Sequence, residues 1–243
     1  MYNFRGIKTL AAIFLALLVF ASCSKKNATP EKVNLGQAYY PTIIGKFVEY
    51  NVDSIVFNDL TLSVDTFRYR IKEKLTEFFT DNEGRQAIRI ERYIKKFNPN
   101  KSYDSIPYTM KEVWKANVES KNVQVVEGNI RYTKLIFPVQ QSASWNGNAY
   151  NTLGEQSYTY DYIDKAESFT GKSFTNVLLV KQKDDETLIS KQYYIEKYAK
   201  GAGLVYREIK DIYSNTVVPG VPVEQRIENG VIYKQVLFNY GYE

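Results

Sequence analysis

The 243-residue chain contains no histidine and one cysteine, Cys23. Without imidazole, every Ser-His-Asp or Cys-His relay is impossible. Without a second thiol, thiol catalysis and thiolate zinc sites are excluded, as is an internal disulfide. Neither GxxxxGK[ST] nor GxGxxG occurs; Gly201-Ala202-Gly203 lacks the third glycine and reads as a hairpin turn. What remains is carboxylate work, in which two acids would flank one glycosidic bond. Asp161 and Asp164, beside Tyr158, Tyr160 and Tyr162, are the best-placed candidates by position; as bare sequence they read more simply as strand-edge charges. Asp184-Asp185-Glu186 offers hard oxygen ligands but lacks the spacing of a calcium loop, so a solvated turn is expected and no metal site is assigned. Trp145, in a Gly/Asn loop, and the tyrosines Tyr158, Tyr160 and Tyr162 are the candidate ligand contacts, because aromatic faces suit apolar sugar faces. Trp114 lies on an apolar parity and reads as core. No catalytic residue and no cofactor is expected.

Cys23 follows Leu10–Ala21, an uncharged apolar run of twelve residues, with Arg5 and Lys8 ahead of it. Twelve residues are too few for a transmembrane helix, which needs about 20, but they have the length of a signal-peptide core. Phe20-Ala21-Ser22-Cys23 resembles a bacterial lipobox, with Phe20 where leucine is usual. The resemblance implies diacylglycerol on the Cys23 sulfur, cleavage before Cys23 and acylation of the new amine. Residues 1–22 are then a lipoprotein signal peptide, and 23–38 the lipidated cysteine with a polar tether. Residues 39–243 form one β-rich domain, with a subdomain break conceivable near 140. Ser24 resembles outer-membrane sorting signals, and Lys25 and Lys26 stand where surface lipoproteins carry acids. The expected location is therefore the outer membrane, lipid-anchored and facing the periplasm.

Three patches resemble the mature parts of uncharacterised Bacteroidetes outer-membrane lipoproteins: residues 40–50, Phe137-Pro138 with residues 145–148, and residues 198–208. That resemblance implies no activity.

The elements holding these residues are strands. In 46–57, Val48, Tyr50, Val52 and Val56 share one parity; in 67–75, Phe67, Tyr69, Ile71 and Leu75 oppose Arg68, Arg70, Lys72 and Lys74. Such alternation marks a half-buried strand. Ile88, Ile90 and Ile94 continue it, as do Tyr108, Met110, Trp114, Ala116 and Val118. Tyr158, Tyr160 and Tyr162 are expected on one face. The run 177–180 reads as a strand covered on both faces, residues 161–169 as one or two helical turns, and Asn229-Gly230 as the turn before a last strand. About ten strands at short spacing predict an all-β antiparallel meander rolled into a curved sheet, half-barrel or barrel, with a β-sandwich as the alternative.

The formal charge is +5; Arg5 and Lys8 lie in the leader, leaving +3. That is too mild, and too evenly spread, for nucleic acid. The expected function is a non-catalytic cell-envelope lipoprotein, held to the membrane by its N-terminal lipid and binding an envelope protein, an apolar ligand or a glycan. Carboxylate-dependent glycan hydrolysis is the alternative.

Overall fold

In the computed structural model, residues 34–243 are described; the expected signal peptide, Cys23 and most of the expected tether lie outside them. The strands are β1 (Lys46–Asn58), β2 (Ser63–Thr80), β3 (Gln86–Lys96), β4 (Thr109–Val118), β5 (Asn122–Glu127) and β6 (Ile130–Ile136). They continue with β7 (Ser144–Asn146), β8 (Ser157–Phe169), β9 (Lys172–Glu186), β10 (Ser190–Ala199), β11 (Gly203–Tyr213) and β12 (Asn229–Tyr242). Among the described residues the remaining regular structure is three single 3-10 turns.

All twelve strands belong to one antiparallel sheet, in the order β6-β5-β4-β3-β2-β1-β12-β11-β10-β9-β8-β7. Each half of the chain is a meander, and β1 pairs with β12 where the halves meet. The sheet rolls until its two edges touch, giving a nearly closed barrel rather than a sandwich. A full ladder does not form at this seam. Instead the Thr133 amide donates to Gly147 O (2.9 Å), and the Trp145 indole donates to Thr133 O (2.8 Å). The Tyr160 hydroxyl donates to Ile136 O (2.7 Å) and accepts from the Ile136 amide (2.8 Å). An open edge would expose a row of unpaired backbone groups; here one backbone bond and the Trp145 and Tyr160 side chains supply partners.

The alternation read from sequence places β1: Val48, Tyr50 and Val52 are all buried. Val177, Leu178, Leu179 and Val180 are buried on both faces of β9. Several local expectations are corrected. Asp184-Asp185-Glu186 is not a turn but the end of β9, Trp145 lies in β7 rather than in a loop, and Phe67 and Met110, on parities read as inward, are exposed. Residues 161–169 are not helical but belong to β8. Tyr162 does not share a face with Tyr158 and Tyr160. Tyr160 pairs with Val180 while Tyr162 pairs with Leu179, so a bulge between them turns Tyr162 to the opposite side. Asn229-Gly230 is not a turn but the first two residues of β12. Gly230 (φ +122°) is required there because a Cβ would sit 2.0 Å from Asp211 O on β11.

Residues 35–243 pack as one unit. The chain joins it at what we call the near end. There the Val139 amide donates to Leu35 O (3.0 Å), the Gly201 amide to Ala38 O (2.9 Å), and buried Tyr39 donates its hydroxyl to Asp164 (2.8 Å). The far end carries the β1–β2, β3–β4, β5–β6, β9–β10 and β11–β12 connections, as the antiparallel registers require.

Candidate functional site

A rolled sheet this wide cannot fill its interior with hydrocarbon alone, and here the apolar alternation is interrupted by charge. On the inward face of β2, β3 and β4, Glu73, Arg92 and Glu112 stand directly across from one another. Arg92 bonds Glu73 at 2.9 Å, pairs with Glu112, and lays its guanidinium 3.5 Å from the centroid of the Trp114 ring. Arg92 is 4% exposed.

Opposite this row lies a second set. Glu196 on β10 faces Arg207 on β11 across the ladder. Arg207 reaches Glu196 at 2.6 Å and Glu127 at 2.9 Å; Lys134 is 3.0 Å from each of those carboxylates; the Tyr198 hydroxyl donates to Glu196 at 2.6 Å. Glu196 is 1% exposed. Burial alone would raise its pKa, but the Arg207 and Lys134 charges and the Tyr198 hydroxyl overcome it and bring it down to about 2. Glu127 is lowered in the same way, against its own burial, by Arg207 and Lys134. Burial works against the cations too, yet the two carboxylates hold Lys134 and Arg207 above their ordinary values. The four groups are therefore all charged at neutral pH, two of each sign.

Beside them is a cavity of about 70 Å³. Its polar lining includes Tyr40, Lys46, Glu73, Trp114, Lys134 and Arg207, and its apolar lining includes Val48, Leu75, Ile90 and Val125. Tyr40 and Pro41, from the segment leading into β1, complete it at the near end.

The candidate ligand contacts fall apart into two places. Tyr158 and Tyr160 are buried, and Trp145 is half-buried with its ring 5.9 and 4.7 Å from theirs. These three are bound into the seam. Tyr162 lies on the other face, its hydroxyl bonded to Glu167. Asp161 is exposed. Asp164 accepts from Tyr39, from Asn176 (2.7 Å) and from Lys200 (2.6 Å); burial would raise its pKa, but these bonds keep it lowered. It anchors the leading segment to the barrel. Asp184, Asp185 and Glu186 are taken by Lys181, Lys183 and Lys191 at 3.4, 2.6 and 3.0 Å. Among the described residues no group of three or more Asp, Glu, Cys or His side chains could hold a metal ion.

The interior ion pairs escaped sequence reading, although a signal was present. Glu73, Arg92, Glu112, Glu127 and Arg207 each occupy the apolar parity of their strand, between residues such as Ile71 and Leu75 or Ile90 and Ile94. A charge at an inward position is either paired or functional.

The far end has a different character. Leu60 and Leu62, at the tip of the β1–β2 hairpin, are 91% and 89% exposed, and Leu188 in the β9–β10 turn is 75% exposed. Ile189, Val217 and Val218 are exposed beside it. The tips are tied together: Arg226 donates to Leu188 O and to Thr216 O, the Ser214 amide donates to Ile189 O (2.9 Å), and Asn229 bonds Asp59 (3.1 Å). Isolated exposed apolar residues are ordinary, but several on neighbouring loops of one end form a patch.

No protein-family model matches the chain, and no curated protein matches it. Two solved structures are similar in outline. One, from Bacteroides fragilis, is described as an exported protein with a YmcC-like fold; it is 11% identical, with a TM-score of 0.42, over 83% of this chain and 97% of that one. The other, from Parabacteroides distasonis, is described as a lipoprotein; it is 16% identical, with a TM-score of 0.40, over 84% of this chain and 98% of that one.

Proposed function

We propose that this protein is a non-catalytic lipoprotein of the cell envelope, anchored through Cys23, that docks a partner protein on the apolar rim at the far end of its barrel. The observation that carries the reading is that rim: leucines about nine-tenths exposed, on tips braced by hydrogen bonds, at the end opposite the one where the chain enters. β1 has 13 residues, so at about 3.3 Å per residue the near and far ends lie some tens of ångströms apart. Among the described residues, the buried carboxylates Glu127 and Glu196 do not favour hydrolysis, the alternative. A glycosidase needs one carboxyl kept protonated near neutral pH, whereas Glu127 and Glu196, the facing pair, are both held ionised by Lys134 and Arg207.

The test has two arms. Mass spectrometry of the protein from its native membranes should find a chain beginning at an acylated Cys23. A photocrosslinking residue placed at Leu60 or Leu188 should form a protein adduct in cells that Thr170, at the near end, does not form, and the L62S change should weaken it. Adducts of equal yield at all three positions, or none at the rim, would remove the docking claim; an unmodified Cys23 on a chain retaining residues 1–22 would remove the envelope claim.

A further inference from the structure

The near end also presents apolar side chains to solvent. Ile43 and Ile44 stand at the turn leading into β1, where the Lys46 amide donates to Ile43 O (3.2 Å); Ile43 is 57% exposed and Ile44 over a third. Lys46 opposes Tyr242 in the β1–β12 ladder, and Val48 opposes Tyr240, so this turn and the end of β12 are neighbours. Tyr242 is 59% exposed and Tyr240 over a third. The β8–β9 hairpin leans over the same place. Its Phe174 ring lies 5.6 Å from that of Tyr240, although β10 and β11 stand between β9 and β12 in the sheet.

Two lysines border these residues. Lys172 lies 5.9 Å from the Tyr240 ring centroid and Lys165 4.8 Å from that of Tyr162, and neither has a carboxylate within 4 Å among the described residues. Glu243, Asp164 and Glu167, the carboxylates alongside, are each already paired with a lysine: Lys72 and Lys74, Lys200, and Lys197. Exposed isoleucine, tyrosine and lysine together suit a bilayer–water interface. Amphipathic rings settle there at the level of the headgroups, and lysine stems lie along apolar surface while the ammonium reaches outward.

The chain itself specifies lipid as the occupant. Leu35, the first residue of the barrel unit, is tied to the near end, and eleven residues separate it from Cys23. Fully extended, eleven residues span about 40 Å, no more than the length of β1 at about 3.3 Å per residue. An acylated Cys23 therefore brings the near end to lipid first. A tether this short holds a weak surface contact at an effective concentration in the millimolar range, so a few side chains suffice. We infer that the near end seats on the phospholipid surface, with Ile43, Ile44 and Tyr242 at the boundary of headgroups and acyl chains and Lys165 and Lys172 toward lipid phosphates. The barrel then stands on the membrane with its apolar rim pointing away. This inference rests on the anchoring through Cys23 proposed above and is independent of what the rim binds.

The full lipoprotein, reconstituted into vesicles of phosphatidylcholine and phosphatidylglycerol, tests it. Single cysteines are introduced as I44C, Y242C, L60C and L188C; in the acylated protein each is the only free thiol and takes an environment-sensitive fluorophore. Lipids carrying a spin label near the headgroup should quench the probes at 44 and 242 at least about threefold more than those at 60 and 188. I43D, checked for an unchanged circular dichroism spectrum, should at least halve the quenching at 242; if it does not fold, the four probe positions decide. Equal quenching at both ends, stronger quenching at the far end, or no effect of a folded I43D would overturn the seating while leaving the anchor intact, provided the protein floats with the vesicles. A wild-type protein that does not float with them would remove the anchor and this inference together.

Discussion

Replacing Glu196 by glutamine tests whether the interior ion network holds the barrel together. The substitution keeps the shape of the side chain and removes its charge. In the native protein that carboxylate meets Lys134 at 3.0 Å, Arg207 at 2.6 Å and the Tyr198 hydroxyl at 2.6 Å, at 1% exposure. After E196Q, two buried cations share one carboxylate, Glu127. Removing one member of a buried charge set costs about 3–5 kcal/mol, mostly because the remaining charge is left uncompensated. For a chain of this size each kcal/mol moves the midpoint by about 2–4 °C, so Tm should fall by about 6–20 °C. Urea unfolding followed by tryptophan fluorescence measures the same loss as a free energy. The decisive comparison adds K134M. Alone, K134M leaves two carboxylates facing Arg207; combined with E196Q it leaves one carboxylate and one guanidinium. The double variant should therefore lose at least about 1 kcal/mol less than the two single variants together. A loss under about 1 kcal/mol for E196Q, or strict additivity, would refute the network as described.

Four further outcomes follow from the same geometry. Because the folded-state pKa of Glu196 is about 2 against an ordinary 4.5, its contribution is complete above about pH 4.5. It should be lost as pH falls from there toward 2, seen as a steep drop in the urea midpoint over that window that E196Q flattens. Y160F removes both the donor to Ile136 O and the acceptor of its amide, and should cost about 1–3 kcal/mol and speed hydrogen exchange at Ile136. W145F keeps an aromatic ring beside Tyr158 and Tyr160 but breaks the bond to Thr133 O, with an expected loss near 1 kcal/mol by urea unfolding. G230A should be among the most damaging single changes in β12, since the new methyl meets Asp211 O at 2.0 Å; a Tm within 2 °C of wild type would contradict the register.

The sheet was legible in the chain because alternation is local. Lys46–Asn58 was readable to within a residue from Val48, Tyr50 and Val52 alone. The twist at Tyr162 was not, because a bulge changes which residues face inward without changing their types. Residues 161–169, with Asp, Lys and Glu among apolar residues, imitate a helical period when read singly, and only pairing with β9 makes them a strand. Closure is a long-range matter: Trp145 was visible as an unusual loop aromatic, but its partner at Thr133 was not, because nothing in the sequence says which edges meet. The interior charges were readable in principle as breaks in an apolar parity. Their pairing across 62 residues between Lys134 and Glu196, or 80 between Glu127 and Arg207, was not.

The pairing of β1 with β12 gives the final strand an unusual responsibility. Lys46 opposes Tyr242, and the Glu243 amide returns to Gly45 O at 2.8 Å, so the two ends of the barrel-forming sequence finish side by side. Until β12 is in place, the half-sheets β1–β6 and β7–β11 share no ladder and are joined only by the short connection between their outermost strands. Every strand through β12 must therefore be available before the cylinder can become continuous. Fusing Glu243 to the segment before Gly45 and cutting the chain between β6 and β7 would turn the same fold into a plain succession of neighbours, with strand order in space equal to strand order in sequence.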